Sequence, residues 1–190
     1  MLMGFGLGQI LYGPVSDSIG RKPPIYYGFI VYVLGGFLCI FSQSLFIMLC
    51  GRFLQGMGIA SPRIVMNAVI RDRFKGPEMA RVMSFVMAVF ILVPVIAPSI
   101  GQLILFFFNW QAIFWMFLFF SILVLTWFTF RLPETLNPEN RRVFSLHQTF
   151  QGISEVIKDR KAMGYTLATG FLFSPFVGYL SSAQQIFADG

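Results

Sequence analysis

Three groups of residues in this chain have types and spacing that can do chemistry. The first is the stretch Gly13-Pro14-Val15-Ser16-Asp17-Ser18-Ile19-Gly20-Arg21-Lys22-Pro23. Here Asp17, at the end of an apolar stretch, can pair with a cation or with a helix N-terminus. Gly20 permits a tight reversal, Arg21 and Lys22 can meet anionic head groups, and Pro23 suits a first helical turn. Gly13 is expected to let a neighbouring helix approach closely.

The second group is Arg52 and Arg63, two cations inside an apolar stretch, where charge is costly enough to be functional by default. At about 100° and ~1.5 Å per residue, their separation brings them within about 20° of one face and ~16 Å apart. Gln55, Ile59 and Asn67 continue that face, giving the helix a polar side that must avoid lipid. Pro62 is expected to bend the helix between the two arginines. Two readings stand for Arg63, a cavity residue or a side chain that snorkels to the nearer interface. The third group is Pro94, Ala97, Pro98 and Gly101, which share one helical face. Its prolines free backbone carbonyls, and its small residues permit close packing.

The elements that must position these residues follow from composition. Of 190 residues 56% are hydrophobic, 12% are charged and 24 are Phe. That much apolar surface cannot be hidden in one small soluble core, so the solvent must be lipid. A span needs roughly 20 mainly apolar residues. Such stretches predict helices over Met1–Ser16, Pro23–Phe41, Leu45–Ile70, Arg81–Leu105, Gln111–Phe130 and Met163–Gln184. The fold class expected is therefore an all-α polytopic membrane protein. A partial bundle of five helices is expected over 1–131, with its first helix truncated. A linker follows over 132–161, and a further helix over 162–190.

The breaks between stretches alternate in charge. Arg21 and Lys22 lie in the first, Arg71, Arg73, Lys75 and Arg81 in the third, and Arg131, Arg141, Arg142, Lys158, Arg160 and Lys161 in the fifth. Ser42–Ser44 and Phe106–Trp110 carry none. Basic residues in short loops stay on the cytoplasmic side, so the alternation predicts a chain crossing the bilayer at every stretch and beginning outside. The net charge of +6 is accounted for by topology and not by a nucleic-acid surface. Within the linker, Phe150, Ile153, Val156 and Ile157 recur at helical spacing, which places part of it on the inner membrane surface. His147 reads as a solvated loop residue. Cys39 and Cys50 read as packing residues, without metal-ligand spacing.

The loop at Gly13, Asp17, Gly20, Arg21 and Lys22 resembles the signature between the second and third helices of the major facilitator superfamily. Ser18 stands where many relatives carry a basic residue. The resemblance implies a helical transporter bundle in which this loop is a gating hinge and its acid holds the outward-open state. The run Gly51-Arg52-Phe53-Leu54-Gln55-Gly56 matches a second family motif, whose arginine is associated with proton coupling. The face of Pro94, Ala97, Pro98 and Gly101 resembles the fifth-helix motif of family exporters, with Gln102 where many have a second Gly. Arg71-Asp72-Arg73-Phe74, Trp110-Gln111, Leu132-Pro133-Glu134-Thr135-Leu136 and Ser174-Pro175-Phe176 look like the bicyclomycin-resistance type of multidrug exporter.

The resemblance implies helices two to seven of twelve, hence an incomplete segment. It implies proton-coupled export of a small amphipathic drug-like compound across a bacterial inner membrane. No cofactor beyond the proton is expected, and a monomer is. Phe173, Phe176 and Tyr179 could form an aromatic wall for such a compound, or simply pack against lipid and helices. An uptake symporter of the same superfamily and an inactive truncated transporter are the alternatives. A membrane-embedded enzyme is disfavoured, because the spans hold no His and no acid apart from Asp17 at a loop edge.

Overall fold

The computed structural model describes residues 1–136, 139, 141 and 144–188, with side chains for all of these except 146–148, 176, 177 and 179–188. Among the described residues every regular element is a helix. They are α1 (Leu2–Ile19), α2 (Lys22–Ile40), α3 (Leu45–Arg73), α4 (Gly76–Phe107), α5 (Gln111–Arg131), α6 (Leu146–Lys158) and α7 (Arg160–Ala188). In lipid a helix is the element that satisfies its backbone by itself, which is why long apolar stretches take this form. α2, α3, α4 and α5 are each long and apolar enough to cross a membrane.

Several helices outrun the hydropathy signal, α3 and α4 among them. α3 continues to Arg73 and α4 begins at Gly76, so both extend into charged residues that an apolar stretch leaves out. Backbone hydrogen bonding does not stop at the first charge. It stops at Phe74, whose extended backbone closes α3, and restarts at Gly76, whose φ of 57° favours glycine, followed by Pro77 in the first turn of α4.

The chain divides into two compact units, 1–144 and 145–190, the break falling inside the stretch expected to be a linker. The first unit holds α1 to α5, and the second holds α6 and α7. In the first unit α3 is the centre, packed between α1 and α2, with α5 against α2. Glycines make this possible. A Cβ on Gly35 would lie 2.7 Å from backbone atoms of Gly51 and Gln55, and one on Gly8 would lie 2.7 Å from the Ala60 Cβ. Small residues at such seams let backbones approach where lipid offers no hydrophobic drive between helices. Ser61 adds a buried hydrogen bond, its hydroxyl donating to the Pro24 carbonyl at 2.6 Å.

Two apolar clusters fill the unit. Ile25, Val65 and Val69 pack with Phe29, Leu125, Phe128 and Leu132, while Cys39 and Ile40 pack with Phe114 and Leu118. α4 carries no buried residue. Its large apolar side chains, such as Phe85 and Phe106, are exposed, as are Phe119 and Trp127 of α5. In the second unit α6 places Phe150, Val156 and Ile157 on its exposed surface. Asp159 breaks the path into α7 and accepts a hydrogen bond from the Lys161 backbone N–H at 2.9 Å.

Candidate functional site

The first group of residues closes into a charged latch at one end of the bundle. α1 ends at Ile19, Gly20 takes φ 108°, and α2 restarts at Lys22 with prolines in its first turn. This turn drives Arg21 inward, to 6% exposure. Its Nη1 donates to Asp17 Oδ1 and, at 3.0 Å, to the Ser16 hydroxyl. Its Nε donates to Asp72 Oδ2 at 2.9 Å, and its Nη2 reaches Asp72 Oδ1 at 3.4 Å. One guanidinium thus bridges α1 and α3, as its planar fork of donors allows. Burial alone would lower its pKa; pairing with Asp72 and Asp17 outweighs this and raises it. Thr135 adds a hydroxyl donated to Asp72 at 3.4 Å.

Glu134, just past α5, completes the latch. Its Oε1 accepts the Arg21 backbone N–H at 2.9 Å and its Oε2 the Lys22 N–H at 3.0 Å. Oε1 also accepts the Thr135 and Leu136 N–H groups at 3.0 and 3.1 Å. Burial would raise the pKa of this carboxyl. The four backbone donors overcome that and hold it below the usual glutamate value. Neither Asp72 nor Glu134 was a candidate from sequence, because their partners lie 51 and 113 residues away. The available signal was an acid at the basic end of each apolar stretch. Lys22 is close by, its Nζ donating to the Thr129 carbonyl at 3.5 Å.

The latch also fixes which connections share an end. It brings together the α1–α2 turn, the end of α3 and the end of α5, the places where the basic breaks fall. Among the described residues a Cβ on Gly13 would meet nothing within 4 Å. The close approach expected of it is therefore not made among the described residues.

The arginines of α3 separate. Arg52 sets its guanidinium 4.7 Å from the Phe114 ring centroid of α5, and its Nη1 donates to Gln55 Oε1 at 3.5 Å. Gln55 is 1% exposed, and the Cys39 thiol approaches its Oε1 at 3.9 Å. Arg63 is exposed and stacks instead on Phe90 of α4, 4.4 Å from its centroid. Asn67 lies half-buried one turn further on. The stripe expected along α3 is shared among three neighbours: Arg52 turns to α5, Gln55 to α2 and Arg63 to α4.

Pro94, Ala97, Pro98 and Gly101 all lie within α4, which stays one helix through both prolines. Gly101 would meet nothing within 4 Å, so the tight packing expected there is not made among the described residues. Phe173 lies on α7. The side chains of Phe176, Tyr179 and His147 fall outside those described. An aromatic-lined space occurs elsewhere: a cavity of about 300 Å³ between α2, α3 and α5, bounded by Phe29, Tyr32, Pro62, Phe117 and Phe120. Nothing in the sequence distinguished Phe29, Phe117 and Phe120 from the other phenylalanines.

A polytopic helical membrane protein with a charged latch at one end and buried polar groups in its spans has the features of a transporter. The sequence profile of the Major Facilitator Superfamily matches residues 1–188. The chain is 31% identical over 190 residues to "Uncharacterized MFS-type transporter YdgK" of Bacillus subtilis, covering 99% of this chain and 47% of that protein. It is 33% identical to "Bicyclomycin resistance protein homolog" of Haemophilus influenzae, covering 97% of this chain and 46% of the relative. With "Multidrug resistance protein MdtL" of Escherichia coli the identity is 34%, over 70% of this chain and 34% of that protein. The chain belongs to the Major Facilitator Superfamily of transporters. It spans about half the length, or less, of these relatives.

Proposed function

We propose that this chain is the gate-bearing part of a proton-coupled multidrug exporter of a bacterial inner membrane, exchanging protons for small amphipathic compounds by alternating access. The observation that carries the reading is the latch of Asp17, Arg21 and Asp72. A gate must be held by contacts that break together, and one guanidinium bridging two helices is such a contact. Closed, it keeps the ends of α1 and α3 together on the cytoplasmic side, which favours the outward-open state. The drug-resistance names of two relatives support export over uptake.

Arg52 is the coupling residue in this reading. Stacked on Phe114 and hydrogen-bonded to Gln55, its charge is fixed in an apolar setting where its field is strong. A carboxylate brought near it would lose its proton readily, and arrival of a drug or opening of the gate would reverse this. Among the described residues the acids lie at helix ends or between helices, and in this reading the carboxylate is supplied by another segment of the transporter. The proton is the coupling ion, no cofactor takes part, and the transporter works as a monomer in the bilayer. The aromatic cavity beside Pro62 offers one wall to a greasy substrate.

The test uses the full-length protein in inverted membrane vesicles. Asp17→Asn is expected to slow drug accumulation driven by an acidic interior. Accumulation at the wild-type rate would remove the gate assignment. Proton-driven flux in the opposite direction would replace export by uptake.

A further inference from the structure

Glu134 makes more contacts than a residue closing its own turn requires. Two of its hydrogen bonds, to the Thr135 and Leu136 N–H groups, are local. The other two cross to α2, and they coincide with what the start of α2 lacks. A helix leaves its first backbone N–H groups without intrahelical partners, and these need acceptors. α2 has no side-chain cap of its own. Pro23 and Pro24 have no N–H to satisfy. The donors that remain at this end are those of Arg21 and Lys22, and each takes one oxygen of the Glu134 carboxylate.

Gly20 fits the same arrangement. Beyond its φ of 108°, a Cβ there would lie 2.9 Å from Glu134 Oε2, so a larger residue would displace the carboxylate. The charge suits the place, because a helix N-terminus attracts an anion. Arg21 is thereby held from both sides, its backbone by Glu134 and its guanidinium by Asp17 and Asp72.

We propose that Glu134 is a positioning residue, a long-range N-cap of α2 through which the end of α5 sets the gate turn and aims Arg21 at its two acids. The capping stands on the hydrogen bonds alone; only its consequence for transport rests on the gate reading. The chain beyond α5 is then tied to the gate. A movement that pulls Glu134 away uncaps α2 and loosens the latch, taking with it the neighbouring Thr135 hydroxyl that donates to Asp72.

Hydrogen exchange of the full-length protein in nanodiscs tests this directly. A peptide running from Ile19 to Pro24 retains no label at its first two positions, and Pro23 and Pro24 have no amide, so it reports on Arg21 and Lys22. Glu134→Gln is expected to raise exchange at these two amides about tenfold, as loss of charge-assisted acceptance should. Protection across α3 should stay as in the wild type, and the maximal transport rate should fall at unchanged half-saturating drug concentration. Wild-type protection of the two amides in Glu134→Gln would overturn the proposal. Loss of protection throughout α3 as well would also overturn it, by showing a general structural support. Asp17→Asn separates the two readings. It should slow transport while leaving the Arg21 and Lys22 amides protected, so failure of the gate and failure of the cap give different results.

Discussion

Arg21 is answerable to three elements, and the geometry ranks its partners. Asp72 takes two of its nitrogens with a side chain 26% exposed, while Asp17 takes one with a side chain 47% exposed. Water screens the more exposed pair. Asp72→Asn is therefore expected to cost about 1–3 kcal/mol, and Asp17→Asn less, in thermal unfolding of the purified protein. The reverse order would contradict the ranking. Glu134 adds a pH signature. Its folded pKa is depressed below the usual value of 4.5, so its stabilising contribution is complete above that value. It is lost as pH falls through the lower folded value. The wild type should lose more stability than Glu134→Gln in acid below pH 4.5, and identical profiles would show that the cap contributes nothing. At this scale the sequence was half legible. Asp17, Gly20 and Arg21 stood out because they are adjacent, whereas Asp72 and Glu134 are joined to them only by folding.

Helix existence was legible from hydrophobic length, and helix ends were less so. α3 and α4 both run into their charged connection, because capping and not polarity ends a helix. Which small residues pack could not be read from spacing. Gly35 sits in the α2–α3 seam and Gly101 stands in open space, although both lie in apolar stretches with small or bent neighbours. Gly35→Ala should force the backbones apart and destabilise by about 1–3 kcal/mol. Gly101→Ala, in open space inside a helix, should stabilise this unit by about 0.5–1 kcal/mol. A Gly35→Ala variant no less stable than Gly101→Ala in thermal unfolding would mean that the seam is not what holds α2 to α3. The polar stripe of α3 gives the same lesson. A common face predicts proximity along one helix, but Arg52, Gln55 and Arg63 are pulled apart by the rings and backbones that α5, α2 and α4 present.

Across the whole molecule, length and charge said most. The alternation of basic and uncharged breaks predicted which ends belong together, and the latch joins the α1–α2 turn with the ends of α3 and α5. The superfamily was legible because its motifs are short, ordered and close in sequence. The aromatic cavity was not, since any of 24 phenylalanines could have lined it.

In the proposed exporter the latch opens and closes the gate, and Arg52 is what ties drug movement to protons. That coupling is tested most directly by drug accumulation in inverted vesicles holding the full-length protein, with an acidic interior imposed, in the wild type and in Arg52→Ala. Gradient-driven accumulation is expected of the wild type, and of Arg52→Ala drug binding without accumulation above equilibrium. Accumulation by Arg52→Ala at the wild-type rate would contradict the coupling.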